Sequence, residues 1–334
     1  MAQRTTSRDV ATRAGVSQST VSHVLTGRPG ISEATRERVL AAMAELRYRP
    51  NLAARSMRTR KSGRLAVVLP LATPGVATIL SGAAEAAGEA GYVLELQGLA
   101  GSAKERTHRL LDMIDTGEFE GILSFTDLPG NLDEEDEHTT VLVLPEYDED
   151  LHVSGAMVDA GAVTEIVEQL ATQGHRRFLH LAGPEEYASA RARRAVYEKA
   201  IADHGLESLG VVTGPWSGRS GERAIRELPS GAPPLAVIAA NDVIAAGAIR
   251  GALARGWTVP GDLSVTGWDD LPLAGVMVPA LTTVSIDRRA LGAYAVRRLL
   301  AAMRGDEEPP GPGSLTRVIW RESAGAPPPK EGNP

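Results

Sequence analysis

From Leu65 onward the chain alternates short apolar runs with helical stretches, and no other feature restricts its fold as strongly. The runs include RLAVVLPL, YVLELQ, GILSF, TVLVLP, RFLHLAG, VVTG, LAVIAA, LSVTG and LTTVSID. Nearly continuous apolar runs of this length suit parallel strands, because crossover helices bury both faces of the sheet. Helices are expected over 76–90, 103–116, 160–173, 188–204, 219–227 and 242–255. About ten such strand–helix units fill two open sheets better than one. The body is therefore expected to be α/β, with two doubly wound parallel-sheet subdomains. PEYDEDLHVSG and VSIDRR are the candidate crossovers between them. The acidic run DEEDE at 133–137 reads as a solvated loop. The Pro-rich end, RESAGAPPPKEGNP, reads as disordered.

The segment before Leu65 has a different character. Residues 7–47 read as three short helices, an all-α head. The first spans about Arg8 to Ala14 and buries Val10, Ala11 and Ala14. Gly15 supplies a tight turn. Ser17 caps a second helix running to about Thr26. Gly27, Pro29 and Gly30 break the chain, and a third helix follows Ser32. It ends near Arg47, with Val39, Leu40, Met43 and Leu46 at helical spacing. NLAARSMR at 51–58 could form a fourth helix capped by Asn51, too short to be stable alone. Charge divides the chain in the same place. Residues 1–61 hold twelve Arg or Lys against four Asp or Glu, a net of +8, while the whole chain carries −7. A basic head on an acidic body suggests nucleic-acid contact at the head, although a solvated basic helix pair would show the same charge.

Two short helices joined by a glycine turn, the second capped by serine, form a helix-turn-helix, which places its second helix in the major groove. Its outward residues become base-reading candidates. Gln18 can bond adenine bidentately, Ser19 can donate or accept, and His23 can donate to a guanine acceptor. Thr5, Ser7, Thr20, Ser22 and nearby Arg side chains are suited to phosphate contacts that fix register, and the capping Ser17 is a further DNA-binding candidate.

The remaining composition excludes several chemistries. There is no cysteine, so disulfides, thiolate metal sites and cysteine nucleophiles are ruled out, as fits a reducing cytoplasm. No phosphate loop, H-E-x-x-H or G-x-S-x-G motif is present, and the seven histidines lie singly. The N-terminus lacks a secretory h-region, and no apolar run is long enough for a bilayer. No enzyme, cofactor, metal or membrane contact is expected, and the site of action is expected to be the cytoplasm, at the bacterial nucleoid.

In the body, ligands of open α/β sheets bind outside the carboxyl ends of the strands. That rule nominates Asp269 after LSVTGW, Asn241 after LAVIAA, Trp216 after VVTGP, and Arg193 on the helix following RFLHLAG. Asp159, near the first crossover, is a further candidate. Acid, amide and guanidinium groups can bond vicinal hydroxyls, and an indole can cover the C–H face of a pyranose. Competing readings exist for Asn241, Trp216 and Arg193. Asn241 or Asp242 could cap the next helix, Trp216 could be core, and Arg191 or Arg194 could take the place of Arg193.

RDVATRAGVSQSTVSHVLTGRPGISEATRERVLAAMAELRYRPNLAARSMRT resembles the DNA-binding head of the lactose-repressor (LacI/GalR) family. The resemblance continues through GHRRFLHLAGP, AANDVIAAGAIRGALARGWTVPGDLSVTGWDD and PALTTVSID. It implies a homodimeric transcriptional regulator reading a near-palindromic operator in double-stranded DNA. It implies a periplasmic-binding-protein-like body whose effector-contact positions include Asp269, Asn241, Arg193 and Trp216. Residues 51–58 would be a hinge helix in the minor groove, contacting DNA through Asn51, Ala54 and the apolar wedge Met57, where the family usually has Leu. The implied domains are a head at 1–50, a hinge and linker at 51–62, a body at 63–325 and a tail at 326–334. The body would comprise an N-subdomain (63–157 plus 288–314) and a C-subdomain (158–287 plus 315–325). The family often has an aromatic pair after the first body strand. Here the stretch is PLATPGVATIL, so Leu71, Thr73 and Val76 would line that side, which favours a neutral carbohydrate over a stacked purine. A repressor released by a small sugar is the leading reading. A corepressor-dependent regulator of a non-sugar metabolite, a sugar transport receptor and a sugar-modifying enzyme are the rivals.

Overall fold

The computed structural model describes residues 5–25, 30–48, 62–70, 75–99, 101–126 and 139–328. The chain divides into two compact units, Met1–Ser62 and Gly63–Pro334. The expected hinge helix, with Asn51, Ala54 and Met57, lies outside the described residues, as do Leu71, Thr73 and the DEEDE run.

The first unit contains helices α1 (Ser7–Ala14), α2 (Gln18–Leu25) and α3 (Glu33–Glu45). Each starts where a short polar side chain satisfies an orphan amide. Thr6 and Asp9 form a reciprocal capping box on α1, Ser17 Oγ accepts from Thr20 N at 3.1 Å, and Ser32 accepts from Thr35 N. Gly15 closes α1 at φ 65°, a left-handed conformation that glycine adopts without steric cost. Val10, Ala11, Ala14, Val21, Val24, Val39 and Ala42 form the core of the unit. Leu40, expected among the core-facing positions, is instead 50% exposed. One residue turns a helix by about 100°, so burying Val39 and Ala42 carries Leu40 to the wet side.

Among the described residues the second unit holds two four-stranded parallel sheets and a two-stranded ribbon. The first sheet has the order β2 (Val93–Leu99), β1 (Arg64–Pro70), β3 (Gly121–Thr126), β4 (Thr140–Tyr147). Leu65 pairs with both Leu94 and Gly121. Helices α4 (Val76–Glu89) and α5 (Ala103–Asp115) connect its strands. Leu65, Val67 and Leu69 join one core cluster, while Ala66 and Val68 join another with Leu110 and Phe119. The two-residue period of a strand thus sends alternate apolar side chains to opposite covered faces.

The second sheet has the order β6 (Glu207–Thr213), β5 (Arg177–Ala182), β7 (Leu235–Ala239), β8 (Leu263–Thr266), with Phe178 paired to Ala236. Its helices are α6 (Ala162–Thr172), α7 (Ala188–Asp203), α8 (Gly218–Arg226) and α9 (Asp242–Ala254). In both sheets the strand order reverses beside the first strand, giving each a switch point. The chain leaves the first sheet after Tyr147 and passes through a 3-10 turn at Gly155–Val158. It returns through β9 (Thr283–Ile286) into α10 (Arg288–Arg304), which packs on α4. It then comes back to β9 as the antiparallel strand β10 (Thr316–Ile319).

The segment after β10 is built into the second sheet's end of the body, contrary to the disorder expected from its composition. Ser323 is fully buried, donates to Val265 O at 2.6 Å and accepts from Thr282 N at 2.8 Å. Pro327 packs near Gly174. The pairing with β8 outweighs the Pro-rich composition, and residues 329–334 lie outside the described set.

Candidate functional site

Two surfaces carry the candidate residues. In the first unit, Ser17, Gln18 and Ser19 are exposed at the start of α2, while Thr20, Ser22 and His23 are half-buried. The hydroxyls of Ser19 and Thr20 lie 2.7 and 2.8 Å from Ser17 Oγ. Gln18 Nε2 donates to Ser7 Oγ at 2.8 Å, which draws the amino ends of α1 and α2 together. Thr5 Oγ1 donates to Leu46 O. Converging helix amino ends with their hydroxyls suit a phosphate, because unpaired amides and the helix dipole favour negative charge there.

In the body, the carboxyl ends of the strands gather a charged and aromatic cluster. Arg193 projects from α7 and is 6% exposed. Its guanidinium lies 4.2 Å from the Trp268 ring centroid and donates to Ala240 O at 2.7 Å. Burial pushes its pKa down to about 10, against the pull of Asp269. Of the three neighbouring arginines it alone faces this cluster. Arg191 donates to the carbonyls of Glu185 and Glu186, and Arg194 pairs with the Glu185 and Glu198 carboxylates.

Asp269 follows β8 in a backbone conformation with φ 105°, and Asp270 follows at φ 49°. Such conformations are strained for residues with a Cβ and persist where the surroundings fix them. Here Asp269 N donates to Val284 O at 2.8 Å, and Asp270 accepts from Arg321 at 2.7 Å. Asp269 Oδ1 lies 3.2 Å from Arg288 Nη2, at the start of α10. The Arg288 side chain passes over Gly75, where a Cβ would lie 2.4 Å from its Cδ. One ion pair therefore joins the end of the second sheet to the helix start beside the first sheet.

Asn241 Oδ1 accepts from Ile244 N at 2.8 Å, so its carbonyl is engaged in capping α9. Asp242 is buried and accepts from Leu271 N at 2.7 Å and from Thr283 Oγ1, and burial pushes its pKa up to about 6. It fastens the 268–271 turn to the returning strand. Trp216 lies against Gly183, where a Cβ would meet the indole at 2.2 Å. Its ring meets Tyr187 edge-on at 5.5 Å, and Tyr187 lies 4.2 Å from His152 on the first crossover.

Arg193 and Asp269 are thus brought together, and Trp216 stands with aromatic partners. Val76 is 7% exposed in the apolar core, so it offers little lining surface. Asp159 is exposed and bonds Gly161 N at 2.9 Å, a local turn contact. Trp268, Tyr187, His152 and Arg288 were not singled out from sequence. The doublets GW and RR adjoining the nominated strand ends were the available signals. A guanidinium, a carboxylate and flat aromatic surfaces together suit a polyhydroxylated ligand. Among the described residues no group of three or more acidic or histidine side chains could hold a metal ion, and no helix is long and apolar enough to cross a membrane.

A helix-turn-helix head and a two-sheet body with a charged and aromatic cluster at its strand ends are the features of a DNA-binding regulator with a ligand-binding body. Residues 6–51 match the model of bacterial regulatory proteins of the lacI family, and residues 167–324 match that of the periplasmic binding protein-like domain. The chain is 32% identical over 318 residues to the lactose operon repressor of Escherichia coli (strain K12), covering 89% of this chain and 84% of that one. It is 30% identical over 310 residues to the HTH-type transcriptional repressor CytR of the same strain, covering 90% of each. The crystal structure of the lac repressor dimer bound to operator and the anti-inducer ONPF superposes with a TM-score of 0.73 at 28% identity, over 97% of this chain and 100% of that one. The transcriptional regulator CelR–cellobiose complex gives 0.58 at 29% identity, over 96% and 100%. The chain belongs to the LacI family of transcriptional regulators.

Proposed function

We propose that this protein is a repressor that binds a near-palindromic operator as a homodimer and is released by a small carbohydrate held in the body crevice. The convergence of Arg193, Trp268, Asp269 and Arg288 at the strand ends, in the same chain as a helix-turn-helix, carries the reading. Gln18, Ser19 and His23 read base edges, and Thr5, Ser7, Ser17, Thr20 and Ser22 hold phosphates. Residues 51–62 act as hinge and linker, with Asn51, Ala54 and Met57 on the minor groove. In the body, Arg193, Asn241 and Asp269 bond the ligand's hydroxyls, Trp216 covers its apolar face, and Leu71 and Thr73 contribute to the lining. The crystallised lac repressor dimer on its operator and the CelR–cellobiose complex support the two halves of this reading. The protein acts on DNA in the cytoplasm and has no catalytic role.

Ligand shifts the equilibrium only by its difference in affinity for the DNA-competent and released states. A coupling of about 1–3 kcal/mol changes operator affinity about 5–150-fold. Trp216→Ala tests the site. Operator binding should persist while its response to sugar disappears, read by fluorescence anisotropy on labelled operator. Loss of both would make Trp216 a structural residue.

A further inference from the structure

We propose that Ser7 is a specificity-determining positioning residue, whose hydroxyl takes one N–H of the Gln18 carboxamide and so sets that amide to read adenine and reject guanine. This rests on reading the head as an operator binder, and it gives Ser7 a part in base choice beyond its phosphate contact.

Ser7 opens α1 and Gln18 opens α2, eleven residues later in the chain. Their side chains meet, with Gln18 Nε2 donating to Ser7 Oγ at 2.8 Å. Neither is needed as a cap, because Thr6 and Asp9 cap α1 and Ser17 caps α2. Among the described residues this is the one hydrogen bond that either side chain makes. The helices beneath are fixed by buried Val10, Ala11 and Ala14 on α1 and by Val21 and Val24 on α2. The pair therefore stands on two elements packed against each other.

A carboxamide offers one acceptor oxygen and two N–H donors. With one N–H given to Ser7, Gln18 meets the groove with its oxygen and a single N–H. Adenine shows the matching edge, an amino donor beside a ring-nitrogen acceptor. Guanine shows two acceptors, and one of them would face the amide oxygen. A free glutamine can present its amino group to guanine instead. One held by Ser7 must first break that bond, which counts against the wrong base. Ordering this long side chain before DNA arrives also lowers the entropy cost of binding.

A serine hydroxyl accepts and donates at once. Having accepted from Gln18, Ser7 Oγ keeps its own proton. The Ser7 amide lies in the first turn of α1, where amides lack an intrahelical acceptor. Both donors suit one backbone phosphate. A chain then runs from phosphate through Ser7 and Gln18 to adenine, and each bond polarises the next. Docking on the DNA backbone thereby fixes the group that reads the base.

The test measures the affinity of the full-length protein for an operator selected from random duplexes and for its single-base variants. Gln18→Ala identifies the base pair that Gln18 reads, which should carry adenine. Ser7→Ala should lower the preference for adenine over guanine there about tenfold and leave preferences at other positions unchanged. Ser7→Thr, which keeps the hydroxyl, should retain most of that preference. In the Gln18→Ala background, Ser7→Ala should weaken all duplexes alike. Uniform weakening of every variant by Ser7→Ala alone would make Ser7 a phosphate contact only and overturn the proposal. So would an unchanged preference in Ser7→Ala, or a loss as great in Ser7→Thr. A base pair other than adenine–thymine at the Gln18 position, or no position altered by Gln18→Ala, would overturn it too. Selection of no two-fold-related sequence by the wild type would overturn the operator reading itself.

Discussion

His23 sits on the last turn of α2, between the buried Val21 and Val24, and is itself half-buried. In the proposed DNA complex this side chain contacts one base pair rather than a run of them. His23→Ala should therefore relax base preference at one position in each half-site, by about 1–3 kcal/mol. Binding titrations against single-base operator variants check this, and uniform weakening across variants would make His23 a phosphate or packing residue. His180 offers a different residue-scale test. It is fully buried, its Nδ1 donates to Ile238 O at 2.8 Å, and burial pushes its pKa down to about 4. The unfolded chain takes up this proton near the ordinary value of 6.5 and the folded chain does not until about 4. Its contribution to stability is complete above pH 6.5 and is lost as the pH falls toward 4. The stability difference between wild type and His180→Phe should shrink by up to about 2 kcal/mol between pH 7 and pH 5. Urea unfolding at the two pH values measures it, and parallel profiles would contradict the assignment. At this scale the sequence was legible where chemistry and position coincided. Strand ends pointed to Asp269 and Arg193, but the doublet partners Trp268 and Arg288 needed the fold. Nothing in a linear pattern says that Arg288 crosses Gly75 to reach Asp269.

The elements were more legible than the residues, because caps and periodicity are local. Thr6, Ser17, Ser32 and Asn241 mark helix starts through hydrogen bonds made within three or four residues. Strands β1, β3 and β7 are buried along nearly their whole length, and their apolar runs announce it. The segment after β10 was misjudged, because its order depends on partners some forty to sixty residues away. Ser323 is the fastening point. Ser323→Ala deprives the buried Thr282 amide of its acceptor and should cost about 1–3 kcal/mol. A lowering of the thermal midpoint by several degrees is the expected result. An unchanged midpoint would show that this segment adds nothing to the second sheet.

On the scale of the whole molecule, charge separates the two units as clearly as structure does. The head carries the positive charge and the acidic body repels the phosphate backbone, so sequence reading falls to the head. The body holds a strained Asp269 and an ion pair that joins the end of one sheet to the helix start beside the other, the kind of junction that the proposed ligand would bias. The alternation of strands and helices made this two-sheet plan legible, since each sheet must bury both faces. The composition of the strand-end cluster was not, because it is assembled from segments far apart in the chain. The central claim is that the head reads a defined, two-fold-related DNA sequence. Selection of duplexes from a randomised library by the full-length protein tests it most directly, followed by affinities for the selected and scrambled duplexes at about 0.15 M salt. A near-palindromic consensus bound at least about a thousandfold tighter than the scrambled duplex is the predicted result. No enriched motif, with equal affinity for both duplexes, would contradict it.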